Sequence, residues 1–124
     1  MRIVAVKERT VPLSAASRNA SISFDAMTAS ALAVVTDAAV DGKPLIGLAF
    51  DSVGRYGHGG LLRERFIPRL LAADPDEYSD GQGGIDPDKV WAVAMRNEKP
   101  GGHGERPGAV RLIDAAVFDL AAKQ

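Results

Sequence analysis

The pattern of apolar and polar positions changes period once along this chain. Residues 2–12, RIVAVKERTVP, are β-branched and partly alternating, with Ile3 and Ala5 facing one way and Val4 and Val6 the other. This predicts a strand ending near Pro12. The stretch that follows, LSAASRNASISFDAM, is small and polar without a helical stripe, and predicts a long mobile loop of the kind that forms lids and binding loops. TASALAVVTDAAV (28–40) predicts a second strand, and LIGLAFDS (45–52) its return partner. Between them DGKP (41–44) is a turn signal, with Gly42 able to take a positive φ. The two strands form an antiparallel hairpin, and the first strand joins them in a three-stranded sheet.

After VGRYGHGG (53–60) the period becomes helical. Leu62, Phe66 and Leu70 recur at i, i+4, with Leu61 and Leu71 alongside. Pro68 falls inside this run, where a true helix interior would lose about 3 kcal/mol, so a kink or an early end is expected there. ADPDEYSDGQGG (73–84) is turn-rich and acidic. DPDKVWAVAMRN (86–97) opens with Asp86 as N-cap and Pro87 at the first helical position. Ala109, Ile113, Ala116, Val117 and Leu120 mark a last helix reaching about Lys123. No internal repeat occurs. Strands first and helices afterwards predict an α+β fold, a three-stranded antiparallel meander sheet followed by a helical bundle, in one domain spanning 1–124.

Composition narrows the function classes. Apolar residues make up 46% of the chain and aromatics only 6%, which predicts a core of Val, Leu, Ile and Ala. Fifteen Lys and Arg against sixteen Asp and Glu give a net charge of −1, without the concentrated basic footprint of a nucleic-acid binder. Arg63, Arg65 and Arg69, interrupted by Glu64, are expected to be the solvated side of the helix. The absence of cysteine excludes disulfides and thiolate metal sites. The start, MRIVAVKERT, lacks an apolar h-region and cleavage site, and no stretch approaches the roughly 20 apolar residues of a membrane span. A soluble, cytoplasmic chain is expected.

Several chemistries can be weighed against the residues. From Gly57 a dinucleotide fingerprint would need glycine at 62, where Leu62 stands, and the preceding strand is one arm of a hairpin. There is no Walker A sequence and no G-x-S-x-G elbow. His58 and His103 are the only histidines, short of the three protein ligands usual at a catalytic metal, so they are read as surface or hydrogen-bonding residues. The segment NEKPGGHGERPGAV (97–110) crowds Asn97, Glu98, Lys99, His103, Glu105 and Arg106 onto a Gly/Pro loop. Lys99 follows a helix end and precedes Pro100, which restricts it to extended conformations. An ammonium placed this way suits a carboxylate ligand, and equally reads as an exposed lysine.

Three stretches together, GRYGHGGLLRERF (54–66), IDPDKVW (85–91) and NEKPGGHGERPGAVRLIDAAVFDLAAK (97–123), resemble the N-terminal region of the enolase superfamily. Within it the resemblance is to the acid-sugar dehydratase branch of the mandelate racemase/muconate lactonizing group, and there to the D-tartrate dehydratases. It covers nearly the whole chain. NEKPGGHGER is its most specific part, whereas the spacing of Ile113, Asp114, Ala116, Asp119 and Lys123 is general in the superfamily.

The resemblance implies a capping domain, a three-stranded antiparallel sheet followed by helices, whose loops close over the open end of a (β/α)8 barrel and help set specificity. It implies a substrate-binding set of Asn19, Asp51, Val53, Arg55 and Lys99, with Asn19 and Lys99 on positions that meet the substrate. The family segment Asn-Ser-Asn-Gly-Arg-Tyr corresponds to Asp51, Ser52, Val53, Gly54, Arg55, Tyr56, and Val53 offers no polar contact there. D-tartrate, a related sugar acid and a chain without function therefore all stay open. The family's Mg²⁺ ligands and catalytic bases lie on the barrel, which takes about 250 residues in its typical form. None is expected in this chain, which ends at Gln124 in the helix that would lead into the barrel. The expectation is a cap of a Mg²⁺-dependent sugar-acid dehydratase, inert alone, with the barrel and the sugar acid as partners. The alternative is a stand-alone module or truncated product that self-associates through an exposed apolar face of Ile113, Ala116, Val117 and Leu120.

Overall fold

The computed structural model of the chain describes residues 1–14, 16–51, 58–99 and 104–124. Strands β1 (Ile3–Pro12), β2 (Thr28–Val40) and β3 (Lys43–Phe50) form one antiparallel sheet in the order β1-β2-β3. This is the expected meander. The third strand begins two residues earlier than its apolar run because the turn is only two residues long. Asp41 (φ 52°) and Gly42 (φ 74°) are both left-handed, the primed geometry that matches strand twist and that Asp-Gly favours. Pro44, which cannot donate to a ladder, is tolerated because β3 is an edge strand. The described residues between β1 and β2 make more backbone contacts than a loop of that composition suggested. Leu13 N donates to Met27 O, Phe24 N donates to Ser17 O, and Arg18 bridges to Ser23, so the excursion closes on itself as a small hairpin.

The first helical run is continuous from His58 to Leu71, as α1 (His58–Leu61), a π-helical stretch (Leu62–Phe66) and α2 (Ile67–Leu71). The expected break at Pro68 does not occur. The proline has no N–H, and its ring would crowd the carbonyl of Glu64 in regular α geometry. The chain instead widens one turn upstream, where Ile67 N–H donates to Leu62 O, a bond five residues long. The apolar stripe survives the change of pitch, since Leu62, Phe66 and Leu70 are all fully buried.

Helix α3 (Pro87–Ala94) starts as expected, with Asp86 accepting from Asp88 N and Lys89 N. It ends three residues earlier than its apolar pattern. Asn97 takes a left-handed φ of 61°, a conformation that terminates helices and that Asn tolerates better than most residues. Helix α4 (Glu105–Ala121) is the long element of the bundle and lies along the sheet on the face opposite Leu48 and Phe50.

One expectation is overturned here. Ile113, Ala116, Val117 and Leu120 do not form an exposed patch; each is 1% exposed or less. They pack on the chain's own sheet, and Gly47 permits the approach. A Cβ at that position would stand 1.9 Å from Ala116 O and 2.8 Å from Leu120 Cβ. The helix also covers the free edge of β3. Leu48 N donates to Asp119 Oδ2 at 2.8 Å, and Lys123 Nζ donates to Ile46 O at 3.1 Å and to Asp119 Oδ2 at 2.5 Å. The Lys123 and Leu48 donors hold the Asp119 carboxyl below its ordinary range. An edge that would otherwise template another strand is thereby satisfied from within. Among the described residues no helix is long and apolar enough to cross a membrane.

Gly47→Val should destabilise the chain by about 3 kcal/mol, the upper end for overpacking, because the obstacle is α4 backbone and not a movable side chain. Urea denaturation followed by circular dichroism reads this directly. An unchanged midpoint would show that α4 does not close on β3 as described.

Candidate functional site

Two buried carboxylates, Asp51 and Glu98, organise the contacts between the sheet and the helices. The first is Asp51, immediately after β3, whose N–H donates to Ser30 O at 2.8 Å. Its side chain is 2% exposed; Oδ2 lies 3.0 Å from His58 Nδ1 and Oδ1 lies 3.2 Å from Arg111 NH2. His58, the first residue of α1, is 3% exposed, so it is a buried, paired histidine. Its second nitrogen, Nε2, is 2.8 Å from Oε2 of Glu105, the first residue of α4. That contact is off the axis of a hydrogen bond, and neither atom has a hydrogen-bond partner among the described residues. Gly108 makes room for the ring, since a Cβ there would fall 2.6 Å from Nε2. The cluster thus joins the end of β3, the start of α1 and the first two turns of α4.

The second carboxylate is Glu98, whose side chain is only 1% exposed. Oε1 takes Arg65 Nε at 2.8 Å and Arg69 NH2 at 3.0 Å, while Oε2 takes Arg106 NH1 at 3.2 Å. Burial works to raise its pKa, but the hydrogen bonds from Arg69 and Arg106 and the charges of Arg65 and Arg69 outweigh this, and the carboxyl sits below its ordinary value of 4.5. Arg69 also donates to Ala94 O at the end of α3 and lies over the Phe66 ring. Arg63 and Arg65 lie on the solvated side of the helix as expected, at 56% and 45% exposure, and the row is also paired: Arg65 and Arg69 hold Glu98, and Arg63 holds Glu8 at 2.6 Å. Glu8 is a β1 carboxylate with a side chain 1% exposed, which also accepts from the Thr10 hydroxyl.

The expected substrate-binding residues fall in different settings. Lys99 is exposed and has no ion-pair partner among the described residues. Its backbone is fixed on the N-terminal side by the left-handed Asn97 and the clamped Glu98. Asn19 is exposed, and its Oδ1 accepts from Ser21 N and Ile22 N at 2.9 Å each, an Asx turn that shapes the tip of its own loop. Asp51 is committed to His58 and Arg111. Val53, Arg55, Pro100 and His103 lie outside the described residues. Asp51, His58 and Glu105 are brought together, whereas among the described residues the side-chain bonds of Asn19 stay within its own loop. Glu98, Glu105 and Arg111 were not distinguished by sequence reasoning as anchors. The one available signal was at Arg111, a charge set between the apolar Val110 and Leu112.

No group of three His, Cys, Asp or Glu side chains able to hold a metal exists among the described residues. His58 fits a metal poorly, since each of its nitrogens already faces a carboxylate.

No protein-family model matches the sequence. A crystal structure of a mandelate racemase/muconate lactonizing enzyme-like protein from Rubrobacter xylanophilus is similar over 98% of this chain, with a TM-score of 0.57 and 22% sequence identity. The two share a fold. The matched region makes up 30% of that protein, so this chain spans less than a third of its length.

Replacing Glu98 with Gln should cost roughly 1.5–3 kcal/mol, the range for hydrogen bonds to a charged group, since its arginine partners keep partial contact with solvent. The pH dependence has a definite sign. The folded pKa is depressed, so the contribution of Glu98 is complete above its unfolded value near 4.5 and is lost as pH falls through the folded value. Glu98→Gln should accordingly lower stability at neutral pH and flatten the acid limb of a pH–stability curve measured by urea denaturation. An acid limb with the wild-type slope would contradict the assignment.

Proposed function

We propose that this chain is the capping domain of an acid-sugar dehydratase of the enolase superfamily resembling the D-tartrate dehydratases. The observation that carries this reading is the match of its sheet-then-helices fold, over 98% of its length, to 30% of a mandelate racemase/muconate lactonizing enzyme-like protein. The segment 97–123 supports it, because the resemblance places Lys99 on a substrate-contacting position, and that residue is exposed and unpaired among the described residues.

In this reading Lys99 supplies a cation for a substrate carboxylate, and Asn19 offers its amide from the tip of the 13–27 excursion. Arg55 and Val53 act from the segment 52–57, and Asp51 fixes the root of that segment. Mg²⁺ and the proton-transferring bases belong to a (β/α)8 barrel partner. There the metal would supply charge stabilisation and the bases proton transfer, while this chain's residues would bind and orient the acid. Alone the chain turns over no substrate.

A second reading, a self-associating module, is favoured by one different observation. It cannot rest on α4, which is buried, but the outer face of the sheet presents Leu48 at 59% exposure and Phe50 at 79%, beside Ala31 and Ala33. A sheet face of this kind is a possible protein contact.

Two measurements separate these readings. In the first reading the purified chain catalyses no Mg²⁺-dependent water loss from a panel of sugar acids, and the coding sequence beyond Gln124 continues into a barrel carrying acidic metal ligands. Turnover by the chain itself, or a downstream sequence without a barrel, would contradict it. In the second, light scattering at micromolar concentration shows a dimer that Phe50→Asp converts to monomer; a monomeric wild-type chain removes it.

A further inference from the structure

The contact between His58 and Glu105 has a chemical requirement. A neutral imidazole carries one N–H. If Nδ1–H serves Asp51 Oδ2 at 3.0 Å, then Nε2 presents a lone pair to Glu105 Oε2 at 2.8 Å, and two acceptors at that separation repel. The opposite tautomer moves the same conflict to Asp51. Only an additional proton, on the ring or on Glu105, lets both carboxylates lie against one histidine. Among the described residues the other charged groups do not supply it. Arg111, from α4, faces the far oxygen of Asp51, and Arg63, from the π turn, with Glu8, from β1, forms a closed pair beside Gly59.

The geometry also says which contact depends on that proton. Asp51 meets His58 in hydrogen-bond geometry, is buried and has Arg111 as a second partner. Glu105 meets the ring off axis, its side chain is 38% exposed, and Oε2 has no hydrogen-bond partner among the described residues. Loss of the proton therefore leaves His58 bonded to Asp51 and releases Glu105. Glu105 is the first residue of α4 and follows Gly104, which holds a φ of 87°. Asp51 and His58 bracket the segment 52–57 in the chain. One ring thus stands between the roots of two segments, 52–57 and 97–104.

We propose that His58 is a positioning residue whose extra proton ties the start of α4, and with it the root of the Lys99 segment, to the end of β3. The inference stands apart from the sugar-acid reading, because its test contains no substrate.

The test is nuclear magnetic resonance of the whole chain, recording the His58 ring nitrogens and the backbone amides of Lys99, Gly104, Glu105 and Arg106 from about pH 5 to about pH 10, a range that brackets histidine titration. The expected result is that the Gly104, Glu105 and Arg106 amides shift with the same midpoint at which the His58 ring loses its second proton. Glu105→Gln supplies the conservative control. Its amide N–H can donate to a neutral Nε2, so the contact persists without the proton and the pH-dependent amide shift is lost. His58→Gln should also lose it, and Glu105→Gln keeps the question decidable if His58→Gln does not fold. A ring that stays singly protonated throughout, amides that stay still while the ring titrates, or a Glu105→Gln curve matching wild type would each overturn the proposal.

Discussion

The closure of α4 on β3 is the contact on which the rest of this domain depends. Gly47 removes the one Cβ that would collide with the Ala116 carbonyl, and the apolar face of α4 then seals the sheet. The consequences reach both ends of the helix. At its C-terminal end Asp119 and Lys123 satisfy the N–H of Leu48 and the carbonyl of Ile46, which would otherwise face solvent as an unpaired edge. At its N-terminal end the same docking brings Glu105, Arg106 and Arg111 to the carboxylates and histidine that organise the loops. Apolar burial supplies the driving force and has no preferred direction; the glycine decides where the helix can lie.

Charge takes over where the apolar contact stops. Glu8, Asp51 and Glu98 each bury their carboxylate almost completely, and each is met by arginine from a helix. An uncompensated buried carboxylate would be costly, and pairing it specifies geometry more than it adds stability. Glu98 draws α2, the end of α3 and the start of α4 to a single point, one residue before Lys99. This is how an exposed lysine on a Gly/Pro segment can have a fixed root. Among the described residues no group of three His, Cys, Asp or Glu side chains is placed to hold a metal.

The regular elements were legible because their signals are local. Alternation, the Asp-Gly turn and the Asp86-Pro87 helix start act within a few residues, and all of them appear where the sequence puts them. The π turn was not legible, because Pro68 announces a disturbance without saying whether the chain will break or widen. The burial of α4 was misjudged for a related reason. An amphipathic face shows that something covers it, and only the tertiary structure shows that the cover is the chain's own sheet. The Glu98 and Asp51 clusters join residues separated by dozens of positions, such as Arg65 with Glu98, so no spacing rule could have found them. Arg63 and Arg65 are solvated as their pattern said, but the ion pairs of the arginine row were hidden because their partners lie on other elements.

The central claim is that α4 is integral to the core it forms with the sheet. Native-state hydrogen exchange of the isolated chain tests it most directly. The account predicts that the amides of Ala109 to Leu120 exchange only through global unfolding, with the same protection as Val34 and the other core residues of β2. If α4 exchanged at far lower free energy than the sheet, the helix would not be held by its own domain, and the account would fail.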